Sequence, residues 1–197
     1  MIDHVFSDAI GALRDSLESA RLERQSVEES FYTDLLTGST TWRASYSLPG
    51  EGIPPRIHCD LALEWSTLSQ TSYRQWCQAG ELIDPMEILV VIVLRFQRLA
   101  EQPDPQLFVD NLPSEYPKLE NSFFERSGPT METIYETDDK DQVNDLEWAI
   151  EISYEGSYEI NSKIIEDTSG LDTHFSQLGV WVSSSLVTLG DLSFKFH

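Results

Sequence analysis

His58, Asp60 and Glu64 are the most enzyme-like group in this chain. An imidazole beside carboxylates is the raw material of acid–base catalysis or of a hard-metal site. Alternate residues on an extended strand lie roughly 7 Å apart. The three therefore meet only through long side chains, or with Glu147 or Glu151 brought alongside by a neighbouring strand. A solvated sheet face is the simpler expectation. A hydrolase or small-ligand pocket around His58, Asp60 and Glu64 is the competing one.

A second pattern is a ladder of Glu147, Glu151, Glu155 and Glu159, one carboxylate at every fourth position. On a helix or on an unbulged strand, all four share a face. Such a row repels itself unless salt screens it or something cationic lies against it. The ladder is the best candidate partner surface in the sequence. Bulky residues that could anchor a partner are Trp181 and the pair Phe123-Phe124.

Other chemistry finds little support. There is no G-x-S-x-G, C-x-x-C, H-E-x-x-H or P-loop, and no glycine fingerprint opening a helix. The acidic run at 138–141 lacks the glycine and terminal glutamate of a calcium loop. His4, His58, His174 and His197 are too scattered to indicate zinc, so neither a metal nor another cofactor is expected. Cys59 reads as a core thiol, and nothing nearby activates Cys77. Two cysteines make no disulfide framework and fit a reducing, cytoplasmic compartment.

Charge narrows the partners further. The chain of 197 residues carries 34 Asp and Glu against 13 Lys and Arg, a net charge of -21. Between Glu132 and Asp172, 13 acids face only Lys140 and Lys163. This disfavours direct binding to nucleic acid or anionic lipid and favours a basic protein. Mimicry of nucleic-acid charge is a further reading, and so is simple solubility. The 88–94 run ILVVIVL is far short of the ~20 residues that cross a bilayer. The start of the chain has no basic region followed by an apolar stretch, so it does not read as a signal peptide.

These residues need elements to position them. Val5, Phe6, Ala9, Ile10, Leu13, Leu17, Ala20, Val27, Phe31 and Leu35 follow helical spacing, which predicts helix over 5–36 with a break near 23–26. A packed layer is the plain role for that helix, and a homodimer contact the sharper one. Alternation over 41–48 and 56–65 predicts two antiparallel strands, the second burying Ile57, Cys59, Leu61, Leu63 and Trp65. A helical region at 68–112 follows: a short helix ending near Gly80, then a buried central helix introduced by Asp84-Pro85-Met86-Glu87, then a turn capped by Asp104. Residues 113–130 read as a connecting loop. Strands are expected at 131–137 and 145–165, bent at Gly156, with closing strands at 178–187 and 189–196. The sum is a single α+β domain, with a mostly antiparallel sheet of five to seven strands and helices on one face. The function expected is non-enzymatic binding of a basic protein, as by an inhibitor, an immunity-type antagonist or an accessory subunit.

Overall fold

The computed structural model describes residues 3–25, 29–80, 84–120, 122–137 and 143–197. Its first helix, α1 (His4–Ser19), buries Val5, Phe6, Ala9, Ile10, Leu13 and Leu17 along one stripe. The helix ends there rather than at 36. Arg21 takes a positive φ of 63°, and the chain turns into two short edge strands, β1 (Glu23–Arg24) and β2 (Ser30–Thr33). Phe31 belongs to β2 and Leu35 to the turn after it, so their helical spacing was coincidental. Val27 and Glu28 lie outside the described residues.

The next two strands follow the alternation. Strands β3 (Thr40–Ser47) and β4 (Ile57–Trp65) pair antiparallel, Thr40 opposite Trp65 and Ser47 opposite His58. Helix α2 (Thr67–Ala79) begins where the Ser66 side chain accepts from the Ser69 amide, and it ends at Gly80 in the left-handed conformation.

The segment expected as a buried central helix is instead the central strand, β5 (Met86–Leu99). Its apolar residues fill both sheet faces: Met86, Ile88, Val90, Ile92, Leu94 and Phe96 are fully buried, while Leu89, Val91 and Val93 are half-buried. A run rich in Val and Ile packs well in a pleated sheet and loses side-chain freedom in a helix. That preference outweighs the cap-like Asp84-Pro85.

Helix α3 (Pro105–Asp110) is capped by Asp104 as expected. The loop that follows contains β6 (Glu125–Arg126), and it leads into β7 (Thr130–Thr137) and β8 (Val143–Ile160). The acidic turn at 138–141 falls outside the described residues. Strand β8 runs straight through Gly156 without a break. A Cβ there would approach the Phe124 ring to 3.0 Å and the Phe123 carbonyl oxygen to 3.1 Å, so the glycine makes room for the crossing loop.

After α4 (Ser162–Glu166), residues expected as closing strands form the long helix α5 (Gly170–Gly190). Leu171, Phe175, Leu178, Val182, Leu186 and Leu189 recur at helical spacing and are buried. Leu178 and Val182 belong to that stripe, whereas Val180 points outward and is exposed, so the alternation of the three was coincidental. The chain end adds no strand: Phe194 and Phe196 pack on Phe96, with ring centroids 5.1 and 6.3 Å away, and Phe196 makes a single bridge to Leu99.

Among the described residues, eight strands form one antiparallel sheet, slightly larger than expected. Strands β1 and β2 lie along the outer side of β3; then come β4, β5 and β8, with β7 and β6 along the outer side of β8. Helices α1 and α5 pack together over one face. The Ser16 hydroxyl donates to the Phe175 carbonyl at 2.7 Å and accepts from the Gly179 amide at 2.9 Å. The apolar stripe of α1 is therefore consumed inside the protein, against α5 and the sheet. Among the described residues, no helix is long and apolar enough to cross a membrane.

Candidate functional site

The sheet face opposite α1 and α5 carries nearly all the residues singled out in the sequence. The pairing aligns them in rows. Asp60 lies opposite Val93, and Val93 opposite Ser153; His58 lies opposite Arg95, and Arg95 opposite Glu151; Ala62 lies opposite Val91, Val91 opposite Glu155, and Glu155 opposite Glu125. The pairing of β5 with β8 stays regular from Met86/Ile160 to Phe96/Ile150. Glu151, Glu155 and Glu159 consequently share the open face, as the ladder required.

His58, Asp60 and Ser45 do meet, in an order that is poor for nucleophilic catalysis. The Ser45 hydroxyl donates to Asp60 Oδ1, and His58 Nε2 lies 3.5 Å from Asp60 Oδ2. Both partners thus engage the carboxylate and not each other. A serine becomes a nucleophile when an imidazole takes its proton, whereas here the proton is directed at Asp60. His58 is only 5% exposed, and its Nδ1 is buried without a hydrogen-bond partner. Burial acts to raise the Asp60 pKa, but hydrogen bonds from His58 and Ser45, and the positive charge of Arg95, outweigh it and hold the carboxyl below its ordinary range. Glu64 stands further along β4, opposite Leu89. It shares with Arg43, Ser45, Asp60 and Glu151 a concavity of about 410 Å³. Among the described residues, no group of three His, Cys, Asp or Glu side chains is placed to hold a metal.

The ladder divides into two halves. Glu151 is bound to Arg95 at 2.6 Å, and the same guanidinium holds Glu132 at 2.6 Å. Burial works against the charge on Arg95, but the two carboxylates more than compensate and raise its pKa. Glu147 faces Arg98 at 3.9 Å. These two rungs are satisfied internally. Glu155 and Glu159 are not. Glu159 lies directly opposite Glu87, and Glu155 directly opposite Glu125. All four are exposed, and among the described residues none has a basic side chain in ion-pair range. Like charges opposed across a ladder are destabilising.

The loop before β6 builds a wall beside these carboxylates. Phe124 is buried and packs at Gly156, whereas Phe123 is 91% exposed. The Ser122 hydroxyl donates to the Ser157 carbonyl and pins the loop to β8. The result is a concavity of about 710 Å³, lined by Leu89, Glu120, Phe123, Glu125, Glu155 and Glu159 among others. Glu120 also reaches His174 Nδ1 at 3.5 Å, which ties the loop to α5.

Trp181 is not on this face. It belongs to α5, donates its indole N–H to the Glu115 carbonyl at 2.8 Å, and packs edge-on against Tyr154 at 4.9 Å. Cys59 is a buried core thiol, its pKa pushed well up by burial, and Cys77 is exposed; both are free. Sequence reasoning missed Glu87 and Glu125, whose part depends wholly on cross-strand register. Reading 86–99 as a strand would have exposed the Glu87–Leu89–Val91–Val93 face. Comparison of the chain with protein-family models, with curated proteins and with solved structures returns no match.

Proposed function

We propose that the chain is a non-enzymatic binding protein that holds a basic protein partner on the open face of its sheet, in the manner of an inhibitor, an antagonist or an accessory subunit. The observation that carries this reading is the two pairs of opposed carboxylates, Glu87/Glu159 and Glu125/Glu155, for which no basic side chain lies in ion-pair range among the described residues. A lysine or arginine of a partner, placed between them, relieves repulsion that the folded protein otherwise bears. Leu89 and Phe123 beside them offer apolar contact for the stem of such a side chain or for its neighbour. The anchor is therefore Phe123, with Phe124 as its buried support. Glu147 and Glu151 are already paired and contribute structure.

The test uses a Lys/Arg-rich peptide containing apolar residues as probe. The fourfold variant Glu87→Gln, Glu125→Gln, Glu155→Gln, Glu159→Gln is compared with a control of equal charge change on other surfaces: Glu18→Gln, Glu101→Gln, Asp110→Asn, Asp172→Asn. The site variant is expected to bind at least about tenfold more weakly, with a shallower salt dependence, and the control to bind nearly as wild type. Equal losses in the two variants would reduce the attraction to net charge and remove the site.

A further inference from the structure

The opposite edge of the sheet has a different character. Edge strands in soluble proteins are usually blunted by charges, prolines or bulges, because their free backbone groups recruit other strands. The edge strand β2, Ser30–Thr33, contains neither a charge nor a proline, and all four of its residues are exposed. Phe31 and Tyr32 present aromatic surface. The turn that follows places Leu35 at 98% and Leu36 at 96% exposure, where polar residues are usual. Leu68, 62% exposed, follows Thr67, whose hydroxyl donates to the Thr37 carbonyl in that same turn.

The two leucines are held outward by a tight local network. Asp34 accepts from the amides of Leu36 and Thr37 at 2.8 and 2.7 Å and from the Thr37 hydroxyl at 3.0 Å. The Asp34 amide in turn donates to the Ser39 carbonyl at 2.9 Å. Ordering this turn is thus already achieved before anything binds it.

The two carboxylates that flank β2 among the described residues, Glu29 and Asp34, are occupied from within. Glu29 is shared by Arg14 and Arg24, and it also accepts from the Trp42 indole at 2.9 Å. Asp34 is taken up by its own turn. Arg43 stacks on Tyr32, 5.5 Å from the ring centroid. Among the described residues, Glu64 is a carboxylate without an ion pair, two strand spacings in on the Tyr32–Thr41–Glu64 row. The unpaired carboxylates of β8 lie four strand spacings away, roughly 19 Å, more than twice the Debye length of about 8 Å at physiological salt. On a molecule of charge -21, this edge offers a second equally acidic molecule exposed apolar surface whose flanking carboxylates are already engaged.

We infer that β2 and the Leu35-Leu36 turn form the contact of a homodimer, in which the β2 strands of two copies pair antiparallel and continue the sheet. The two-fold axis then stands normal to the sheet and keeps both helical layers on the same side. Side-chain alternation requires one residue to pair with its own counterpart, either Phe31 with Phe31 or Tyr32 with Tyr32. The acidic faces come out at the two far ends of the joined sheet, so one dimer presents two separate binding faces.

Salt separates this contact from the one proposed above. Adding salt weakens the hold on a basic partner but screens the repulsion between two acidic copies, so dimerisation tightens. Sedimentation equilibrium of the full chain, from about 1 to about 100 µM and from about 0.05 to about 0.5 M NaCl, is expected to show a monomer–dimer equilibrium that shifts to dimer with salt. The double variant Leu35→Asp, Leu36→Asp alters two nearly fully exposed side chains. It is expected to raise the dissociation constant at least about tenfold while leaving circular dichroism and the thermal midpoint of the monomer unchanged. Hydrogen exchange localises the contact, since amides of Ser30–Thr33 should gain protection with concentration in the wild type only. A monomer throughout that range, a dimer unaffected by the double variant, or concentration-dependent protection elsewhere alone would each overturn the inference.

Discussion

Asp60 has two donors converging on it, Ser45 from the neighbouring strand β3 and His58 from its own strand. These donors favour the charged carboxylate, so the folded-state pKa is depressed. The stabilisation is present above the unfolded-state value near 4, and it disappears as pH falls through the lower folded-state value. Asp60→Asn should cost stability near pH 6, by less than about 1 kcal/mol because the side chain is half exposed. Near pH 2 the cost should vanish. Urea titrations at the two pH values measure it, and a penalty that persists in acid would mean the carboxylate charge is not what matters. The sequence made the grouping of His58 and Asp60 visible through spacing alone. It could not show that Ser45 would lie opposite Asp60, because that depends on the length and path of the 49–56 connection.

At the level of elements, the tightest junction is that of α1 with α5. A Cβ on Gly179 would clash with both the Ser16 carbonyl oxygen and its hydroxyl. Gly179→Ala therefore forces the helices apart or displaces Ser16, and it should destabilise the protein by about 2 kcal/mol, as overpacking commonly does. A denaturant midpoint unchanged from wild type would show that the two helices slide freely.

The same junction explains what the sequence concealed. Helix α1, β3, β4 and β8 each hold their large apolar residues on one buried face, so their periods are clean and their types legible. Strand β5 is apolar on both faces, and periodicity cannot decide between a buried strand and a buried helix. Helix α5 contains a short stretch that also alternates in twos, and only its full length, from Leu171 to Leu189, reveals the helical period. The acidic site was half legible: Glu155 and Glu159 from their spacing, Glu87 and Glu125 only from register.

For the whole molecule, the large negative charge is unevenly balanced. Arg95 and Arg98 neutralise the middle of β8, Arg14 and Arg24 neutralise the corner around Glu29, and the remaining excess repels itself. Raising NaCl from about 0.05 to about 0.5 M should raise the thermal midpoint of unfolding by screening that repulsion. A midpoint that falls with salt would mean that the internal ion pairs outweigh the repulsion.

The order of elements along the chain has a consequence for synthesis. Helix α1 emerges from the ribosome long before its partner α5, and Ser16 meets Phe175 and Gly179 only across a long stretch of chain. Strand β5 likewise waits for β8, since Met86 pairs with Ile160. Until those residues are made, the apolar stripe of α1 and one whole edge of β5 have no native cover. Contacts so distant in sequence slow folding and leave sticky intermediates. The nascent chain should thus be most dependent on holding by chaperones between the completion of β5 and the release of α5, with strong acidity keeping the half-made product apart from its copies.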